Sequence, residues 1–329
     1  MQKKHQEEEM KTMKWMSKNK QTIWTYGLPV LVFIIVVMMA VIPQTKTPYN
    51  PIAIDLGFAQ VAWYAVFILT GISLGAFLTY QEFKKVGWNP DILFDGLLYA
   101  VPLAIVGARV YDVIFKFDRY SNFLEMLGYV PGRGISLEGL SIHGAVIATF
   151  IFLIFFTRKK KISFWLLADM LAVGFLVGQI IGRWGNFMNH ELYGPAIESP
   201  WLIELLPGFI RNQMVVYGVV HHPTFLYEGL WNFIGLVFLL VARRKKWFRV
   251  GDMLGLYLIW YGLGRGLIIE PLRALGAPGD VYIIFGNIPL NIIVSLGVFS
   301  LGGLLLIFLK NKWVQSIPYY VDMLVKSDD

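Results

Sequence analysis

The chain has 329 residues, 56% of them hydrophobic and 16% charged, with a mean hydropathy of +0.57. Soluble domains carry about 25% charged residues, so a water-soluble globular protein is excluded and a bilayer is the solvent this composition suits. There is no cysteine, which removes disulfides, thiolate metal sites and a cysteine nucleophile; the net charge of +7 is read as basic flanks of membrane spans, with no nucleic-acid partner.

A backbone in lipid must satisfy its own N–H and C=O groups, and about 20 apolar residues in a helix cross the hydrocarbon core. Eight stretches meet that description, at 23–42, 60–80, 95–115, 141–157, 164–186, 225–242, 252–270 and 291–309. The first follows a basic arm, as a signal peptide does. Its apolar run is too long for an h-region and no A-x-A site follows, which predicts an uncleaved anchor. No strong internal repeat is visible, so an inverted-repeat transporter is disfavoured. The longest outer loop, 187–224, contains Gly194, Pro195, Pro200, Pro207 and Gly208 and predicts a small cap. The expected fold is all-α: a polytopic membrane helical bundle of about eight transmembrane helices with a small extracytoplasmic cap.

Lys and Arg divide unevenly between the two sets of loops. The N-terminal arm, Lys84–Lys85, Arg158–Lys161, Arg243–Lys246 with Arg249, and the tail hold 20 of the 29. Lys46, Lys116, Arg119, Arg133, Arg211 and Arg273 make up the other set, and Arg109, Arg183 and Arg265 lie inside spans. This asymmetry predicts cytoplasmic termini. The alternating direction of the spans then brings Tyr64, Arg109, Asp112, His143, Arg183, Asn186, Tyr227, Glu228, Arg265 and Glu270 to the outer ends of six helices.

Ionisable groups inside spans are costly and point to function. On the fifth span, Gln179, Arg183 and Asn186 share a stripe, which His190 would extend if the helix continued. Gly174, Gly178, Gly182 and Gly185 form a neighbouring stripe, read as a helix-packing face. Structural alternatives stand beside these readings. Arg183 can pair with Asp112, Glu191 or Glu228, and Arg109 can pair with Asp112 three residues on. Asp169 reads as a helix-end or loop partner. Arginine grips phosphate through a planar fork, so the natural ligand is a phospholipid head group, and histidine can move a proton near neutral pH. With no cysteine, no serine-centred nucleophile elbow and no cluster of acidic metal ligands, the site points to direct transfer between two bound substrates. No metal and no cofactor are expected.

The stretch Gly182-Arg183-Trp184-Gly185-Asn186-Phe187-Met188-Asn189-His190-Glu191-Leu192-Tyr193-Gly194 closely resembles the G-R-x-G-N-F-x-N-x-E-x-x-G signature of the prolipoprotein diacylglyceryl transferases. Asn50–Ala53, Trp63-Tyr64, Gly107–Tyr111, Ser141–Gly144, His222–Thr224 with Leu226–Glu228, and Tyr261–Arg265 with Glu270 resemble further motifs of that family, in order. Departures are Ala62, Ala65 and Ala145 at positions where the family carries arginine, glycine and glycine, Asp112 as an added charge, and a spacing of five from Arg265 to Glu270 where the family has four.

The resemblance implies a bacterial plasma-membrane enzyme that moves the diacylglyceryl group of phosphatidylglycerol to the lipobox cysteine of a prolipoprotein signal peptide. It implies His143, Arg183, Arg265 and Tyr64 as catalytic residues, with His143 as base and the two arginines on the phosphate. Asn186, Asn189, Gly194, Arg109, Tyr227, Glu228, Tyr261 and Glu270 would complete the substrate site, Glu228 and Glu270 by holding arginines. It divides the chain into residues 1–48, a cytoplasmic arm with an additional anchor; 49–312, the transferase core; and 313–329, a cytoplasmic tail. The alternatives are a non-catalytic lipid or peptide carrier on the same helices, and a different outer-leaflet phospholipid-processing transferase.

The Arg265–Glu270 spacing carries its own expectation. In a regular α-helix five residues turn by about 500°, which separates the two side chains by about 140°. Either a π-bulge between Gly266 and Ile269 or early unwinding near Gly266 and Pro271 would return Glu270 to the site. Otherwise Glu270 leaves it and pairs with Arg273.

Overall fold

The computed structural model describes residues 24–57, 60–130, 134–135, 139–276, 283–284, 288–314 and 316–325. The basic arm, Arg133 and Lys326, which enter the charge asymmetry, lie outside these residues. Among the described residues seven helices are long and apolar enough to cross a membrane: α1 (Trp24–Val41), α2 (Trp63–Val86), α3 (Asp91–Phe115), α4 (Ile142–Lys160), α5 (Phe164–Met188), α6 (Thr224–Ala242) and α8 (Leu290–Trp313). Between the last two lies α7, which is α-helical over Asp252–Leu263, π-helical over Gly264–Ile269 and α-helical again over Glu270–Gly276. Apolar side chains such as Leu69, Leu98, Phe155, Ile234 and Leu304 are exposed, as lipid-facing positions are and a water-soluble surface is not.

Each expected span has its helix, and the ends differ by a few residues. The largest difference is α2, which runs on to Val86 and carries Lys84 and Lys85 in its last turn. Likewise Arg158, Lys159 and Lys160 close α4. Cations suit a helix C-terminus, so flanks read as loops by their charge fold as helix. Among the described residues the connections contain four short antiparallel strand pairs: β1–β2 (Ile52–Asp55 with Gln60–Ala62), β3–β4 (Tyr129–Val130 with Gly134–Ile135), β5–β6 (Val215–Val216 with Val219–Val220) and β7–β8 (Ile283–Ile284 with Ile288–Pro289).

The chain forms two compact units, the described parts of Met1–Glu82 with Asp169–Leu324, and of Phe83–Ala168 with Val325–Asp329. In the first, α2 and α5 touch backbone to backbone: a Cβ on Gly71 would lie 3.1 Å from Gly178 Cα, and one on Gly75 3.1 Å from the Gly174 oxygen. The α5 backbone at Gly174 and Gly178 is therefore what the α2 glycines approach, while a Cβ on Gly178 or Gly182 itself would meet nothing within 4 Å. Helix α1 sets Phe33 edge-on to Trp184, with centroids 5.9 Å apart.

The loop after α5 forms a cap with two short helices, Pro200–Leu205 and Gly208–Gln213, and the β5–β6 hairpin. Gln213, fully buried, accepts from Tyr49 N at 2.8 Å and donates to Phe187 O at 3.0 Å. Phe187, Phe209 and Phe225 close around Trp184. A buried amide and an aromatic cluster thus seat the cap on the ends of α5 and α6.

The other end of this unit is rich in buried charge. Glu82, 1% exposed, is gripped through both oxygens by Arg244, lies 3.5 Å from Arg243, and accepts from the Tyr320 hydroxyl at 2.9 Å. The expected partner role of Asp169 is observed: it accepts from Gly251 N at 2.5 Å and Leu254 N at 3.0 Å, so it satisfies the first amides of α7. In the second unit α3 and α4 meet at Gly107 and Gly144, where a Cβ on Gly144 would overlap the Gly107 carbonyl.

Candidate active site

The expected site residues of the first unit assemble around Glu228, which α6 presents in its second turn, 3% exposed. Arg183 Nη2 donates to Glu228 Oε1 at 2.7 Å, and Arg265 Nη1 to Oε2 at 3.3 Å. One carboxylate therefore ties α5, α6 and α7 together at a single point. Arg183 Nη1 donates to Asn186 Oδ1 at 3.1 Å, and Asn186 Nδ2 to Glu191 at 2.7 Å. Asn189 reaches the same Glu191 oxygen at 3.4 Å. Of the pairings open to Arg183, Glu228 is the one realised. The ion pair is part of the site and does not bury the guanidinium, whose side chain stays 21% exposed.

Glu270 belongs to this cluster. It pairs with Arg265, is 2% exposed, and also accepts from Arg273 Nη1 at 3.2 Å and Asn291 Nδ2 at 3.3 Å. The π-helical stretch Gly264–Ile269 makes this geometry: residues five apart stack in a π turn, where an α turn would splay them. Of the two devices that could absorb the additional residue, the bulge is the one used, and Arg273 joins the pair. Two consequences can be measured. Deleting Leu267, an exposed residue of the bulge, returns the spacing to four and is expected to leave activity within about threefold, because an α turn then aligns the pair. Inserting an alanine after Leu267 is expected to abolish activity. A deletion as damaging as the insertion would show that the bulge itself, not the pairing, is required.

Around this core the remaining expected residues have structural anchors. The Tyr64 side chain lies against Gly185, where a Cβ would overlap its ring. Gln179 donates to the Tyr257 hydroxyl at 2.8 Å, and Tyr257 stacks on Tyr261 at 6.1 Å. The helix of α5 stops at Met188; His190 turns to φ +54° and sets its ring by Tyr193, so it does not extend the arginine stripe. Gly194 joins the cap: its N–H donates to His222 O at 2.9 Å, and a Cβ would lie 2.9 Å from His222 Cβ. His222 Nδ1 lies 3.0 Å from the Tyr227 hydroxyl. Burial, with His221 beside it, lowers the His222 pKa and favours the neutral ring, which can accept the phenol proton.

Arg109 and His143 belong to the second unit. Asp112 takes Lys116 Nζ at 2.6 Å and the Tyr120 hydroxyl at 2.7 Å, and the same hydroxyl accepts from Arg109 Nη1 at 3.5 Å, so Tyr120 links the two charges three residues apart. His143, in the first turn of α4, stacks on Tyr111 at 5.7 Å, with Ser141 Oγ 3.5 Å from its Nδ1.

Sequence reasoning did not find Arg273, Asn291 or Tyr257 as partners of the site. Arg273 is expected to pair with Glu270 only if Glu270 leaves the site, and a lone Asn or Tyr at a helix end carries no signal of its own. The electrostatic balance is legible from the exposures. Arg183, Arg265 and Arg273 keep 21%, 15% and 26% of their side chains exposed, over Glu228 and Glu270 at 4% and 2%. Buried carboxylates thus orient guanidiniums whose open faces carry the positive charge, an arrangement that suits an anion with several oxygens.

Fold and site define a polytopic membrane protein whose helix ends gather an arginine–carboxylate cluster. The family model for prolipoprotein diacylglyceryl transferase matches residues 51–308. A phosphatidylglycerol–prolipoprotein diacylglyceryl transferase of Streptococcus pneumoniae (strain Hungary19A-6) is 40% identical over 274 residues, covering 83% of this chain and 97% of that protein. The enzyme of the same designation from Bacillus velezensis is 40% identical over 272 residues, 82% of this chain and 95% of its own. The chain belongs to the prolipoprotein diacylglyceryl transferase family.

Proposed function

We propose that this chain transfers the diacylglyceryl group of phosphatidylglycerol to the lipobox cysteine of a prolipoprotein, the first step of bacterial lipoprotein maturation. The observation that carries the reading is Glu228 holding Arg183 and Arg265 together within the stretch that matches the family. The substrate thiol attacks the glyceryl carbon that bears the phosphate ester. The new C–S bond is the thioether, the C–O bond breaks, and glycerol phosphate leaves with the electron pair. A thiol of pKa about 8.5 is mostly protonated at neutral pH, so its proton must be taken. His143 is the base, directly or through water. Arg183 and Arg265 hold the phosphate and stabilise the charge that builds on it. Asn186 and Asn189 orient head-group oxygens, Arg109 is a further head-group contact, and Tyr64, Tyr227, Tyr261 and Gly194 line the substrate site. The nucleophile comes with the substrate, which accords with an enzyme lacking cysteine.

The test is purified protein in phosphatidylglycerol vesicles with a lipobox peptide, assayed for lipidated peptide and released glycerol phosphate; absence of both products sinks the reading. In the same assay His143→Gln is expected to lower kcat about 100-fold, as loss of general base catalysis does, with phosphatidylglycerol binding nearly intact. Full activity of His143→Gln would count against His143 as the base; a carrier would yield neither product and would tolerate loss of His143 better than loss of the arginines. The basic asymmetry supports cytoplasmic termini, a cap outside the cell and a site in the outer leaflet, with lipid entering sideways between helices. Reporter fusions after residues 20 and 205 are expected to report opposite sides, and the same side for both would overturn this topology. Helix α1, which precedes the matched residues, serves as an added anchor.

A further inference from the structure

The second unit holds a charged cluster that the reaction above does not use. Asp112 is 1% exposed in the last turn of α3, and both its oxygens are occupied, by Lys116 and by the Tyr120 hydroxyl. An ionised carboxylate only accepts, so the phenol must give its proton to Asp112. That fixes the rotation of the hydroxyl and turns its lone pairs to Arg109, whose Nη1 donates to them. The three groups close on Gly139. A Cβ there would lie 2.8 Å from the Tyr120 oxygen and 3.2 Å from both Arg109 Nη1 and Asp112 Oδ2, and the backbone φ of +72° is one that L side chains rarely adopt. Two residues on, Ser141 N donates to Ala108 O at 3.1 Å, so the segment that enters α4 is laid against the turn of α3 that carries Arg109.

We propose that Asp112 is a positioning residue: acting through the Tyr120 hydroxyl, it sets the direction of the Arg109 guanidinium for a phosphate-bearing lipid head group. This rests on the head-group role given to Arg109 above. Without the carboxylate the phenol proton is free to swing toward Arg109, and an acceptor becomes a competing donor. Lys116, with its side chain 54% exposed, neutralises Asp112 and leaves Tyr120 as the element that conveys its orientation.

The experiment is a double-mutant cycle in the vesicle assay, with phosphatidylglycerol as the varied substrate. Arg109→Ala is expected to raise its KM about tenfold, the worth of one charge-assisted hydrogen bond, with kcat held. Asp112→Asn is expected to raise KM about fivefold, again with kcat held. The double variant is expected to match Arg109→Ala alone, because residues acting through one another are not additive. Multiplying effects, or a fall in kcat alone for Asp112→Asn, would overturn the relay while the head-group role of Arg109 stands. An unchanged KM for Arg109→Ala would overturn that role and the relay with it. Tyr120→Phe, which keeps the Asp112–Lys116 pair, completes the same cycle if Asp112→Asn does not fold.

Discussion

Arg183→Lys is expected to retain the positive charge and lose activity about 100-fold or more, in the range seen when one preorganised transition-state donor is removed. The reason is geometric. Arg183 uses one N–H on Glu228 and another on Asn186, on two different nitrogens, and its planar fork still has donors to offer a phosphate. An ammonium on a flexible stem cannot keep both protein contacts and the ligand in one plane. The loss should fall on kcat/KM for phosphatidylglycerol and should not be rescued by raising vesicle charge. A Lys variant within about threefold of the parent would mean that charge alone is used, and the fork would have to be given up.

Glu228→Gln is the second large effect. It keeps the shape of the side chain and removes the charge that two arginines share. Glu228 is 3% exposed and accepts from both Arg183 and Arg265. Removing one partner of a buried ion pair costs about 3 kcal/mol or more, and here Arg183 loses its carboxylate while Arg265 keeps Glu270. Here the amide's own N–H₂ must also face a guanidinium. The expected result is a clear fall in thermal unfolding temperature in detergent, together with activity reduced about 100-fold. Glu270→Gln is expected to do less to activity, since Arg265 then keeps Glu228. Unchanged unfolding and unchanged activity in Glu228→Gln would show that the arginines are set by something other than this carboxylate.

The helices were legible because lipid imposes one requirement on every span, a long run without charge, and Ile23–Ile42 or Leu290–Phe308 satisfy it plainly. The core of the site was legible for the converse reason: Arg183, Glu228 and Arg265 are charges placed where charge is expensive. Even the π segment was foreshadowed, since Arg265 and Glu270 cannot share a face of a regular helix. What remained hidden were pairings between distant charges at helix ends. Glu82 and Arg244 lie 162 residues apart, and Arg243 and Arg244 read simply as a basic flank. Periodicity reports which face a residue occupies and carries no information about which remote side chain will meet it there. The Tyr120 hydroxyl was hidden for the same reason: a tyrosine in a short connection has no pattern that would mark it as the link between Asp112 and Arg109.

The docking of Tyr320 bears on the order in which the molecule is made. Its ring is fully buried, its hydroxyl reaches Glu82 across 238 residues of sequence, and its N–H donates to Phe248 O at 3.1 Å. A ribosome delivers Glu82 long before Tyr320. Glu82 is therefore made first, can meet Arg243 and Arg244 once α6 has been released, and can meet Tyr320 only later still. Closing so long a loop at that stage is cheap in entropy because the intervening helices already hold its ends. A chain that stops short of Tyr320 therefore leaves the buried Glu82 without this hydrogen bond, held by Arg243 and Arg244 from one side of the sequence alone.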